Sequence, residues 1–183
     1  KDIPASNYRY IVLETKDRLL KRYGKIIDAE NIIKSIESYE EKISHAHIYS
    51  SIMEDFFGDK AKRWGEKTLL EWTNIPTFLK LYTGSKAIHI VRDPRDVASS
   101  FKGMTFEPGN RYLDAIFACL HSMDACTQYK KYLPKDRYYA VAYESLVTNP
   151  KDELAKISKF LGIEYSDSMM DRRMYKDQFG DIL

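Results

Sequence analysis

Between Lys86 and Gly103 the sequence reads KAIHIVRDPRDVASSFKG, and one local structure suits it. Ala87 to Val91 is a short apolar, β-favouring run, the pattern of a buried strand. Arg92-Asp93-Pro94 ends it. Asp93 is a good helix N-cap, and Pro94 suits the first helical position, where a missing N–H leaves no helical bond unmade. From Pro94 the spacing predicts a helix with Val97, Ala98 and Phe101 on one face and Gly103 as its stop. An arginine therefore stands at the carboxyl end of a strand, and Ser99 and Ser100 follow within two helical turns. In open α/β sheets ligands bind beyond the carboxyl ends of strands. A helix amino end beside a guanidinium fork and a hydroxyl suits a phosphate. A surface arginine paired with Asp93 or Asp96 beside an ordinary N-cap accounts for the same residues, so the rest of the chain has to decide.

The chain has 183 residues, enough for a single domain with a sizeable core. It is 44% hydrophobic and 31% charged, the composition of a globular protein. A formal net charge of +2 is too small to argue for nucleic acid or a membrane surface. No apolar run approaches membrane-spanning length and no secretory signal is visible. Cys119 and Cys126 lie in a segment that reads as helix, about two turns or roughly 10 Å apart, too far for a disulfide. Reduced core cysteines suit a cytoplasmic protein. No Cys/His cluster has zinc spacing, so no metal is expected.

The spacing predicts a helix over 6–23, capped by Ser6 or Asn7 and ended by Gly24, with Tyr10, Leu13 and Leu20 recurring on it. Asp28 caps a second helix bearing Ile32, Ile33, Ile36 and Tyr39. A third covers about 44–57. A short strand is expected over 62–67, then a helix over 75–82 capped by Asn74. A long helix follows from about 110 to 132, with Leu113, Ile116, Phe117, Leu120 and Met123 as its core stripe. Residues 137–142 read as a strand. Asn149-Pro150 opens a helix with Leu154, Ile157, Phe160 and Leu161 buried, and a short charged helix is expected near 168–175. After the leading helices, strands and helices alternate, which predicts an α/β fold with a parallel sheet flanked by helices. Three short strands make a thin sheet for this length. An N-terminal strand and its loop are expected upstream of Lys1.

Three segments, in order, carry a resemblance. Arg92-Asp93-Pro94-Arg95-Asp96-Val97 with Ser100 resembles the 3′-phosphate-binding motif of the sulfotransferases that use 3′-phosphoadenosine 5′-phosphosulfate (PAPS). Trp64-Gly65-Glu66-Lys67-Thr68 resembles their Glu-Lys-Thr/Ser-Pro segment, with Leu69 where proline is common. Tyr143-Glu144-Ser145-Leu146 with Pro150, then Phe160-Leu161-Gly162, resembles the stretch after their last core strand. The resemblance implies a sulfotransferase fold akin to P-loop nucleoside-triphosphate hydrolases, helix-rich at its N-terminal part. It implies one sulfotransferase-like domain over 1–183, lacking segments at both ends. Residues 1–60 would form a helical acceptor-side wall or lid and 61–165 the nucleotide-binding core. The family's 5′-phosphosulfate loop has no counterpart here, since no glycine falls in a phosphate-loop pattern.

The implied activity is sulfuryl transfer from PAPS to a hydroxyl or amine, leaving 3′-phosphoadenosine 5′-phosphate (PAP), with no metal. The acceptor would be a small molecule, a carbohydrate or a peptide. By the same resemblance Lys67 is the catalytic residue, meeting the charge that develops on the leaving phosphate oxygen. Arg92 and Ser100 hold the 3′-phosphate and Tyr143 contacts the adenine side, while Arg95 and Asp96 are structural. Glu14, with His45 and His47 as runners-up, is a positional candidate for the base, but each of the three is better explained as an exposed helix residue, so no base is assigned. Two other readings remain: a P-loop small-molecule kinase, and a non-catalytic relative that binds PAP or PAPS.

Overall fold

Apolar side chains recur at helical spacing through the first sixty residues, and the chain there is helical. The computed structural model describes residues 3–58, 63–68, 71–102 and 112–171. They fall into two compact units, one up to Lys67 and one from Thr68.

The first unit packs α1 (Ala5–Tyr23), α2 (Ala29–Glu37) and α3 (His45–Phe57) around Tyr8, Val12, Ile27, Ile32, Ile36 and Ile48. The start of α1 differs from expectation: Pro4 is its N-cap, and Ser6 and Asn7 lie inside the helix. Proline's fixed φ pre-sets that entry without a side-chain cap. The buried row of α1 is Tyr8 and Val12, and Tyr10, Leu13 and Leu20 are exposed. Gly24, at φ 63°, ends the helix as expected. Asp28 caps α2, accepting from the N–H groups of Glu30 and Asn31. Ser44 and His47 cap α3 reciprocally: the His47 N–H donates to Ser44 Oγ, and His47 Nδ1 accepts from the Ser44 N–H. Residues 63–67 are irregular, not a strand; Lys62 lies outside the described residues. With Gly65 in the middle and Trp64 as the main apolar anchor, this segment docks through one aromatic side chain. Trp64 meets the edge of Tyr49 and stacks with Phe57, and Glu66 accepts from the Tyr49 hydroxyl.

The second unit begins with a 3₁₀ turn (Glu71–Asn74) running into α4 (Ile75–Leu81). Asn74 is the N-cap residue of α4 as expected, but its side chain makes no cap hydrogen bond; its amide donates to Glu71. Then come β1 (Ala87–Val91), α5 (Pro94–Lys102), α6 (Tyr112–Tyr132), β2 (Tyr138–Ala142), α7 (Tyr143–Thr148) and α8 (Pro150–Leu161). The strands pair in parallel, from Ala87 opposite Tyr138 to Val91 opposite Ala142. Among the described residues the sheet has these two strands. Helices pack on it, α6 against both strands and α8 against β2, giving the expected helix-rich α/β architecture. The Arg137 guanidinium ties the end of α4 to the start of β2 by donating to the carbonyls of Leu79, Tyr82 and Ser85.

The stripe expected to be buried on α6 is largely outside: Leu113, Phe117, Leu120 and Met123 are exposed and Ile116 is half-buried, while Cys126 and Tyr129 are buried. Beneath the helix lies the buried His89 of β1, with its Nδ1 2.7 Å from the Tyr138 hydroxyl and its Nε2 2.7 Å from Ser122 Oγ on α6. The inward row of α6 is the small and hydrogen-bonding one, and Ser122 gives that buried ring its second partner. After α8, ended by Gly162 at φ 70°, a 3₁₀ turn spans Asp167–Met170. The remainder of the charged helix expected near 168–175 lies outside the described residues, apart from Asp171. Among the described residues no helix is long and apolar enough to cross a membrane.

Candidate functional site

β1 stops at Val91 because Pro94 brings no N–H and Asp93 turns the chain into α5. Asp93 caps that helix: its Oδ1 accepts the Arg95 N–H at 2.8 Å. The same carboxylate holds the Arg95 side chain, whose Nε lies 3.0 and 3.1 Å from the two oxygens. Donation from the Arg95 guanidinium and N–H pulls the Asp93 carboxyl down to about 2. So the ordinary surface pair in this turn is made by Arg95, which leaves Arg92 out of it.

Arg92 extends from the carboxyl end of β1 and lies over the ring of Tyr143, with its guanidinium carbon 4.4 Å from the ring centroid. Tyr143 follows β2 directly, and the parallel register that sets Val91 opposite Ala142 brings these two residues together. The Nε of Arg92 is buried and makes no hydrogen bond. An arginine N–H in that condition is costly unless an acceptor arrives from outside the protein.

Two more residues enter this turn from other elements. Glu144, the second residue of α7, accepts the Asp93 N–H at 2.8 Å. The Cys119 thiol, on α6, donates to the Arg92 carbonyl oxygen at 3.1 Å. Burial raises the Cys119 thiol, which keeps it a donor. Strand ends, helix cap and buttresses thus present one half-free guanidinium above an aromatic face, an arrangement chemically suited to a phosphate or similar oxyanion.

The family model of the sulfotransferases matches residues 7–167. The chain belongs to the sulfotransferase family. Among solved structures, a sulfotransferase domain from the curacin biosynthetic pathway superposes with a TM-score of 0.60 at 22% identity. That match covers 90% of this chain and 59% of the other, so this chain spans about three-fifths of the length of that domain. At such identity the likeness concerns the fold. No curated protein matches this chain.

Of the residues that the sulfotransferase motifs single out, the structure brings Arg92 and Tyr143 together. Ser100 sits on α5, half-buried, and among the described residues no hydrogen bond joins it to Arg92. Lys67 belongs to the first unit, where its side chain is exposed. Among the base candidates, Glu14 and His45 are exposed, and His47 is committed to the α3 cap and stacks on Tyr39 at 4.2 Å. Among the described residues no group of three or more His, Cys, Asp and Glu side chains could hold a metal. The sequence offers no role for Cys119 beyond the core and none for Glu144 beyond its motif. Glu144 is open to detection, because a carboxylate two residues past a strand end is well placed to accept from a neighbouring strand's turn. Cys119 carries no such signal.

Proposed function

We propose that this member of the sulfotransferase family takes PAPS as donor and transfers its sulfuryl group to an acceptor hydroxyl or amine, releasing PAP. The observation that carries the reading is the buried, unpartnered Nε of Arg92 at the carboxyl end of β1. In this reading Arg92 forks the 3′-phosphate, the feature that separates PAPS from ATP, and Ser100 adds a hydroxyl donor. Tyr143 supplies an aromatic face on the adenine side. The acceptor oxygen or nitrogen forms its bond to sulfur as the bond from sulfur to the bridging phosphate oxygen breaks. The acceptor proton passes to a base, and Lys67 meets the charge left on the departing oxygen.

The nucleotide half of this function falls to residues 61–165 and the acceptor-side wall to the helices of 1–60. The acceptor is a small molecule, a carbohydrate or a peptide, and the chemistry runs in the cytoplasm without a metal. Incubation with PAPS and a mixed acceptor panel, with and without EDTA, tests the reading by the PAP released. Release that depends on acceptor and ignores EDTA is expected. Transfer from ATP and Mg²⁺ in place of PAPS would contradict it.

A further inference from the structure

The carbonyl held by Cys119 and the N–H held by Glu144 belong to one peptide unit, the one that joins Arg92 to Asp93. The β1–β2 ladder ends at Val91 and Ala142, so this peptide lies beyond the last paired residues and has no strand to hold it. Two side chains replace the strand. Cys119 comes from α6, 27 residues on from Arg92, and Glu144 from α7, 51 residues on from Asp93. Because the peptide is planar, fixing both its ends sets ψ of Arg92 and φ of Asp93 together. With β1 holding the N and Cα of Arg92 and the two side chains holding its carbonyl, the N–Cα–C frame from which the Arg92 side chain leaves is anchored on both sides. Pro94 follows, with a φ that cannot relax to absorb a flipped peptide. Among the described residues Glu144 makes no ion pair with Arg92, so its grip on the turn is through the backbone.

We infer that Glu144, with Cys119 opposite it, is a positioning residue that clamps the Arg92–Asp93 peptide and so aims the Arg92 guanidinium at its anion. The inference rests on the reading of Arg92 as the 3′-phosphate ligand. Glu144 would not touch the nucleotide. Its removal would cost the contact made by the 3′-phosphate and leave contacts to the rest of the nucleotide alone. A glutamine in its place keeps a carbonyl acceptor for the Asp93 N–H, so the clamp depends on the acceptor and tolerates loss of the charge.

The test is calorimetric titration of the complete protein with PAP and with 5′-AMP, which lacks the 3′-phosphate. Glu144→Ala should lower PAP affinity about tenfold, the range for losing a hydrogen bond to a charged group, with 5′-AMP affinity unchanged. Glu144→Gln should restore most of the PAP affinity. A wild-type PAP to 5′-AMP ratio in Glu144→Ala, or an equal loss for both nucleotides, overturns the clamp. Should Glu144→Ala fail to fold, Cys119→Ala frees the other end of the same peptide and reads the same ratio, and a wild-type ratio there overturns the clamp too. Arg92→Ala is the control that separates the two claims. If it leaves the ratio unchanged, the 3′-phosphate reading itself is wrong. If it collapses the ratio and Glu144→Ala does not, only the clamp is wrong.

Discussion

Arg92 and Lys67 occupy matching places in the sulfotransferase motifs, yet the chain supports them differently. Arg92 stands at the end of a paired strand, on a peptide held at both ends, with a tyrosine ring beneath its guanidinium. Lys67 stands on an irregular, exposed segment that is tied to α3 by the Trp64 ring and by a hydroxyl donated to Glu66. On the proposed reading, the first arrangement pre-pays the ordering of a binding group. The second leaves a long cation free to reach, which suits a group that acts on charge appearing only in the transition state.

The sharpest break of this contrast is in kinetics. Lys67→Ala should lower kcat by about 10²–10³, the usual cost of removing one charge-stabilising group, with little change in the KM for PAPS. The exposed side chain predicts an unchanged melting temperature in the same protein, and normal turnover would remove Lys67 from the mechanism. Arg92→Ala should do the reverse. It should weaken PAP binding by about 2–4 kcal/mol, as for a lost charge-assisted contact, seen as a raised Kd in calorimetry.

A third effect concerns what lies under each residue. β1 carries the buried His89 two residues before Val91, and burial pushes its imidazole below the ordinary value. The native ring stays neutral while the unfolded ring protonates near its usual 6.5. The unfolded state therefore binds more protons as pH falls, and stability drops below about pH 6.5 until the folded ring itself titrates. The slope for one proton is at most about 1.4 kcal/mol per pH unit. Urea unfolding between pH 7.5 and 5 should show it, and His89→Gln should flatten it. A pH-independent wild type would show that His89 is not buried as described. The smallest effect is expected at the other region. Tyr49→Phe keeps the ring against Trp64 and removes only the hydroxyl on Glu66, an exposed bond, so stability should change by under about 1 kcal/mol. A stability loss well above about 1 kcal/mol would mean that the Lys67 segment is tightly built rather than loosely tied.

The same contrast explains what could be read in the residues. The Arg92 turn is written locally: an apolar β-favouring run, an aspartate that caps, a proline at the first helical position. Each signal acts within four residues, and each appears in the structure. The α8 boundaries, set by Asn149-Pro150 and Gly162, are local in the same way. The burial of α6 is not. Leu113, Phe117 and Leu120 outrank Cys119, Ser122 and Cys126 in size and hydrophobicity, but His89 on a distant strand needs Ser122, and the Arg92 carbonyl takes Cys119. Hydropathy at helical spacing cannot register a partner that lies 33 residues away. The expected strand at 62–67 failed for a related reason. Its one strong signal, an aromatic side chain in an otherwise polar stretch, serves equally well for docking on α3. Motif position already set Arg92 apart from Arg95, and the physical ground for it appears in three dimensions, where Asp93 takes Arg95.

Nucleotide discrimination by the wild-type protein tests the central claim most directly. Side-by-side calorimetry with PAP and 5′-AMP should show PAP binding at least about 30-fold tighter, the lower end of the free energy assigned to the Arg92 contact. Equal affinity for the two nucleotides would contradict the account, because the free Nε at the end of β1 would then answer to some other anion.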